Sequence, residues 1–212
     1  MPKIEPFEKY YIEYDKWFDE NKYIYKSELK AIKKILPKGK GVEIGIGTGR
    51  FAIPLGIKTG IDPSSKMREI VEKKGIEVID GVAEKIPFVN NEFDFVLLVT
   101  TLCFLDDINK SMKEIYRILK SKGSIIIGLI DKNSPVGKYY LSIKENNPFY
   151  KEANFYSTGE LINKLGENNF CCFKFKQTIF GGLKNNKKVQ KIINGYGEGS
   201  FVVIKAKKIN YI

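Results

Sequence analysis

Val42-Glu43-Ile44-Gly45-Ile46-Gly47-Thr48-Gly49-Arg50 is the stretch whose reading decides the fold of this chain. VEIGI predicts a strand, and the glycines after it predict a turn whose backbone lies open to a ligand, because no Cβ stands in the way. In an open α/β sheet, ligands bind where such turns follow the carboxyl ends of strands. Spacing then separates two kinds of loop. The dinucleotide fingerprint requires G-x-G-x-x-G. Here the third glycine, Gly49, comes one residue early and Arg50 holds the required position. The loop is G-x-G-x-G, with an acid, Glu43, two residues ahead of it.

Outward from this loop, strand and helix alternate. IKTGI (57–61), IEVI (76–79), FDFVLLV (93–99) and SIIIGLI (124–130) predict the second to fifth strands. Helices are predicted over about Ser64–Lys74 and Ile108–Leu119, and Asp106 and Asp107 read as caps of the latter. FDFVLLV and SIIIGLI are apolar on both faces, as buried parallel strands are. Such alternation predicts a doubly wound α/β sheet with helices on both sides. Asp62 ends the second strand, where a carboxylate can accept both hydroxyls of a ribose. Farther along, Thr158–Leu165 predicts a helix, then CCFKFKQT (171–178) and FVVIKAKK (201–208) predict two strands.

Before the loop, Tyr10, Tyr14, Trp17 and Phe18 fall at i, i+4, i+7 and i+8, one face of a helix. Ser27 is placed to cap the next helix, whose apolar positions Leu29, Ile32, Ile35 and Leu36 run up to Pro37. Residues 7–25 and 139–156 together hold 14 of the 27 Phe, Tyr and Trp side chains. For most of these aromatics the reading favoured is packing of a cover onto the core, with a few walling an apolar acceptor, or a cation through their ring faces.

Composition removes several classes of function. Apolar residues at 43% and charged residues at 29% describe a globular chain. No apolar run reaches the roughly 18–20 residues that span a bilayer. With no histidine and only three cysteines, neither a metal site nor a disulfide framework is expected, and the chain is read as cytoplasmic. The net charge of +11 suggests nucleic acid, but only Arg50, Arg68 and Arg117 among 36 basic residues are arginine. Arginine is the side chain suited to bidentate phosphate and guanine contacts. A solvated, lysine-biased surface is therefore the favoured reading, and the residues set no oligomeric state.

Taken together, VEIGIGTGR, GIDPSSKM, GVAEKIPF, and FDFVLLVTTLCFLDD followed by EIYRILKSKGSIIIG make residues 40–131 resemble class I S-adenosylmethionine-dependent methyltransferases. The nearest likeness is to the small-molecule branch that includes ubiquinone- and menaquinone-type enzymes. The resemblance implies a Rossmann-like, mostly parallel seven-stranded sheet with an antiparallel terminal strand. It also implies one methyltransferase domain: an aromatic helical lid (1–26), a cofactor-binding core (27–131), a substrate-side insertion (132–156), and a terminal helix and strands (157–212). The cofactor it implies is S-adenosylmethionine, with S-adenosylhomocysteine as product. By the same resemblance, Gly45, Gly47 and Gly49 admit the methionine moiety and sugar, and Glu43 lies near the amino group. Asp62 holds the ribose hydroxyls, Pro63 and Met67 flank the adenine, and Ala83 with Glu84 faces the adenine edge. Val99 and Thr100 border the methionine and the reacting methyl. Val82 is a departure: many relatives carry an aspartate there for the adenine amine, a contact that falls here to backbone or to Glu84.

The acceptor is narrowed by missing motifs. Base amino-methyltransferases resemble one another in a D/N-P-P-Y/F tetrapeptide after the fourth strand, where this chain reads Thr100-Thr101-Leu102-Cys103. The Pro-Cys pair of cytosine-C5 enzymes is absent, so Cys103 is expected to face the core. A small-molecule acceptor is the leading expectation, with Tyr10, Tyr14, Trp17 and Thr101 as candidate contacts. An RNA or tRNA methyltransferase, and a methyltransferase-like protein that binds cofactor without catalysis, are the alternatives.

Overall fold

The computed structural model describes residues 3–183 and 187–209, so the extreme ends of the expected 1–26 and 157–212 segments, and residues 184–186 within the latter, lie outside the described residues. Five strands follow the predicted order: β1 (Gly41–Ile44), β2 (Thr59–Ile61), β3 (Glu77–Ile79), β4 (Phe93–Val99) and β5 (Leu119–Ile130). They pair in parallel as β3-β2-β1-β4-β5. β6 (Phe170–Thr178), β7 (Ile193–Asn194) and β8 (Phe201–Lys208) complete an eight-stranded sheet, with β8 antiparallel to both β5 and β6. The eighth strand is β7, two residues long at the β6 edge, too short to leave a period in the sequence.

Alternate side chains of β4 feed two cores. Val96 and Leu98 pack toward α6 (Ile108–Ile118) and α8 (Thr158–Glu167). Phe95, Leu97 and Val99 pack on the other face with α3 (Lys22–Lys33). This two-sided burial is why FDFVLLV carries no polar alternation. Asp107 caps α6, accepting from the Lys110 N–H at 3.0 Å, and Ser157 with Glu160 forms a capping box on α8. Asp106 is not a helix cap; its N–H donates instead to Glu84.

The N-terminal stretch departs from one continuous helix. It forms α1 (Glu5–Lys9) and α2 (Tyr11–Glu20), broken at Tyr10, then α3 after Asn21. Ser27 does not cap a helix. It lies buried inside α3, where its hydroxyl donates to Tyr23 O at 2.6 Å and accepts the Gln190 N–H at 2.9 Å. A serine bonded back to the i−4 carbonyl is tolerated mid-helix, so the residue type alone does not mark a start. Two more helices bear on the site. α5 (Ser65–Glu72) follows β2, capped by the Ser64 side chain, and α7 (Pro135–Ser142) forms within 132–156, while the short α4 (Ala52–Leu55) follows the glycine loop.

Candidate functional site

Strand order reverses between β1 and β4, and the loops leaving these two strands meet above that point, the usual place for a ligand in such a sheet. Gly45 (φ +68°) and Gly47 (φ +55°) bend the first loop through the left-handed region. A Cβ on Gly45 would stand 2.4 Å from Thr101 Cγ2, and one on Gly47 would point at the Tyr14 hydroxyl. At Gly45 the loop must therefore be bare backbone, whereas at Gly47 it is the left-handed φ that favours glycine. In the second loop Thr100 holds φ +52°, an uncommon state for a β-branched residue that costs of order 1–3 kcal/mol. Its N–H donates to Gly128 O at 2.8 Å.

Asp62, at the end of β2, is 7% exposed and binds both neighbouring turns. Its Oδ2 accepts the Gly47 N–H at 2.8 Å and its Oδ1 accepts the Ser64 N–H at 2.9 Å. Burial pushes its pKa up to about 6, with those two N–H groups pulling the other way.

Gly45, Gly47, Asp62, Pro63, Met67, Ala83, Glu84, Val99, Thr100 and Thr101 line one cavity, and Tyr14 covers it from α2. Two expected cofactor-side residues stand behind that wall. Gly49 packs toward Val71 and Ile53. Glu43 is buried under the loop; burial lifts its carboxyl well above the usual range, the Ala52 N–H opposes that, and its Oε2 has no partner. Glu84 lines the cavity, but its Oε1 is already engaged, accepting the Asp106 and Asp107 N–H groups at 2.9 and 3.1 Å. It therefore latches the loop after β4.

A second cavity of about 390 Å³ adjoins the first, sharing Phe7, Tyr14, Thr100 and Phe104 as walls. Trp17, Phe18 and all six aromatics of 139–156 line it, so the favoured packing reading understated how many aromatics wall a cavity. Phe7 bridges the two segments, its ring 5.7 Å from Phe149. Tyr10 lines neither cavity; its ring packs on Phe149 at 6.1 Å. Cys103 is also displaced from expectation: it lines the larger cavity, and burial pushes its thiol up to about 12.

Known proteins resemble this chain in sequence and in fold. Residues 42–127 match the methyltransferase domain family. The chain is 46% identical to a Thermotoga maritima crystal structure described as a SAM-dependent methyltransferase, possible histamine N-methyltransferase. That match has a TM-score of 0.95 and covers 98% of this chain and all of the other. This chain belongs to the class I S-adenosylmethionine-dependent methyltransferases. An uncharacterized protein of Methanocaldococcus jannaschii is 51% identical over 96% of this methyltransferase and 98% of its own length. The demethylmenaquinone methyltransferase of Chlorobaculum tepidum is 35% identical over 116 residues, half of this chain and 48% of that enzyme.

The methyltransferase uses S-adenosylmethionine as its methyl donor, and the first cavity fits that cofactor. Bare backbone at Gly45 and Gly47 lies beside a buried carboxylate, Asp62, whose oxygens each retain a lone pair, a set suited to a sugar. Met67 and Ala83 offer apolar surface next to it.

Sequence reasoning missed Glu28 of α3, which lines the larger cavity and is 4% exposed. The signal was present. Ile24, Glu28, Ala31, Ile32 and Ile35 share helical spacing, so an acid sits in the apolar stripe.

Proposed function

We propose that the enzyme methylates a small, largely apolar molecule held in the aromatic cavity beneath α1 and α2. The observation that carries this reading is the shared wall of Phe7, Tyr14, Thr100 and Phe104 between that cavity and the one at the glycine loop. A volume of about 390 Å³ falls at the size of a small-ligand site. In this reading Gly45, Gly47 and Asp62 hold the methionine and ribose, and Pro63, Met67, Ala83 and the Glu84 backbone surround the adenine. Val99 and Thr100 border the methyl, with Tyr14, Trp17 and Thr101 toward the acceptor.

The cofactor's sulfonium supplies its own leaving group. The chain's residues therefore act mainly by positioning, which can supply about 7–11 kcal/mol of a barrier. Cavity chemistry disfavours RNA as the acceptor. No lysine or arginine lines the larger cavity among the described residues, although the chain carries +11 overall. No described helix is long and apolar enough to cross a membrane. Sparse, unpaired cysteines support a reading in which the enzyme works in the cytoplasm.

Titration calorimetry with S-adenosylhomocysteine, then a methyl-transfer screen over amines, phenols, thiols and tRNA, tests the proposal. Transfer to tRNA with none to any small molecule would overturn it.

A further inference from the structure

The larger cavity holds a carboxylate with nothing to pair with. Glu28 points from the buried face of α3 into a chamber walled by rings, and no hydrogen bond or ion pair engages it among the described residues. Burial alone pushes its pKa up to about 8. Isolated buried carboxylates are costly unless paired, so they are rarely kept without a partner. The other charged group on the wall is Glu13, exposed on α2. A chain of net charge +11 thus encloses a chamber whose only charged lining residues, among those described, are two acids.

We propose that this chamber binds an organic amine, its ammonium paired with the Glu28 carboxylate and its apolar body held among the surrounding rings. The proposal rests on the acceptor reading above and names the acceptor's class. The ammonium is the anchoring form; because a protonated nitrogen has no lone pair, that nitrogen takes a methyl only after its proton is lost. Trp17, Tyr140, Tyr150 and Phe155 present the aromatic surface that attracts a desolvated cation as well as an apolar body. Two phenols, Tyr140 and Tyr150, lie near enough to feel the Glu28 charge, and burial keeps both neutral through the physiological range. The ammonium is therefore the complement that the cavity itself lacks.

The test is calorimetry with phenethylamine and tryptamine against their alcohols, 2-phenylethanol and tryptophol, with and without saturating S-adenosylhomocysteine. At pH 8 the wild type is expected to bind at least one amine about tenfold or more tightly than its alcohol, as a charge-assisted bond provides. Glu28→Gln should bring that ratio to within about twofold while leaving S-adenosylhomocysteine affinity unchanged. A second measurement needs no variant. Repeating the amine titration in phosphate and in Tris at pH 7 should show release of about one proton per amine bound, falling toward none at pH 9. Equal binding of amine and alcohol in the wild type, no binding of either, or an amine preference that survives Glu28→Gln would overturn the proposal. Failure of S-adenosylhomocysteine to bind the wild type counts against the proposed function instead, and the amine arms run without it judge Glu28 separately.

Discussion

Arg50 grips Asp15 with two edges of its guanidinium: Nε donates to Oδ1 at 2.8 Å and Nη2 donates to Oδ2 at 2.6 Å. Thr48 adds its hydroxyl to the same carboxylate at 2.5 Å, and Arg50 Nη1 reaches Asp19 at 2.9 Å. The end of the glycine loop and the aromatic helix α2 are thereby one mechanical unit. Arg50 occupies the position where a dinucleotide loop would carry glycine, and here it holds the cover over the cavities.

Arg50→Lys should loosen that unit, because an ammonium cannot reproduce the two-pronged contact. Burial pushes the Asp15 carboxyl upward, but hydrogen bonds from Arg50 and Thr48 outweigh it and hold the pKa below the ordinary aspartate value. Stability from the pair is present above the unfolded value near 3.8 and is lost as pH falls through the lower folded one. At pH 7 the expected cost is about 1–2 kcal/mol. Hydrogen exchange should show the change concentrated in residues 11–20, with the sheet little affected.

Asp62→Asn should weaken S-adenosylhomocysteine binding by roughly 1.5–3 kcal/mol, about ten- to a hundredfold. The amide nitrogen would face either the Gly47 or the Ser64 N–H, both of which now donate to a carboxylate. Calorimetry on a variant with a native circular-dichroism spectrum reads this directly. Unchanged affinity would remove Asp62 from the cofactor site.

Gly45→Ala and Gly47→Ala should fail in different ways. At Gly45 the new methyl meets Thr101 at 2.4 Å, so the loops after β1 and β4 must part and thermal stability should fall by about 1–3 kcal/mol. At Gly47 the methyl lies 3.4 Å from the Tyr14 hydroxyl, an ordinary contact, on a left-handed backbone costing about 1–2 kcal/mol. Its larger effect should be on ligand affinity, since the added carbon projects into the cavity. Paired melting and titration curves separate the two.

Glu28 should also leave a signature on the ligand-free protein. With a folded pKa near 8 against an ordinary value of 4.5, the native state keeps a proton that the unfolded chain has lost. Glu28's contribution to stability is therefore full below pH 4.5 and declines as pH rises toward 8. Glu28→Gln removes that slope, so between pH 5 and pH 8 it should gain roughly 2–4 kcal/mol relative to wild type. Denaturant melts at the two pH values measure the difference. Parallel pH dependence of both proteins would show Glu28 ionised or solvated in the fold.

Much of this protein was legible in residue order alone. Glycine spacing at 45, 47 and 49, an acid at Asp62 and two runs apolar on both faces determine a parallel sheet with a nucleotide-type loop at its switch point. These are local matters: a left-handed turn admits glycine, and a strand buried on both faces admits no polar alternation. Tertiary structure decided which side chains share a cavity. It turned Glu43 and Gly49 to the back of the wall, left Tyr10 outside, and ran α3 straight through Ser27. It also brought residues 139–156 to meet Phe7, enclosing Glu28 among rings distant from it in sequence. A period of 3.6 places Glu28 on an apolar face; only packing against segments over a hundred residues away decides that the face borders a chamber.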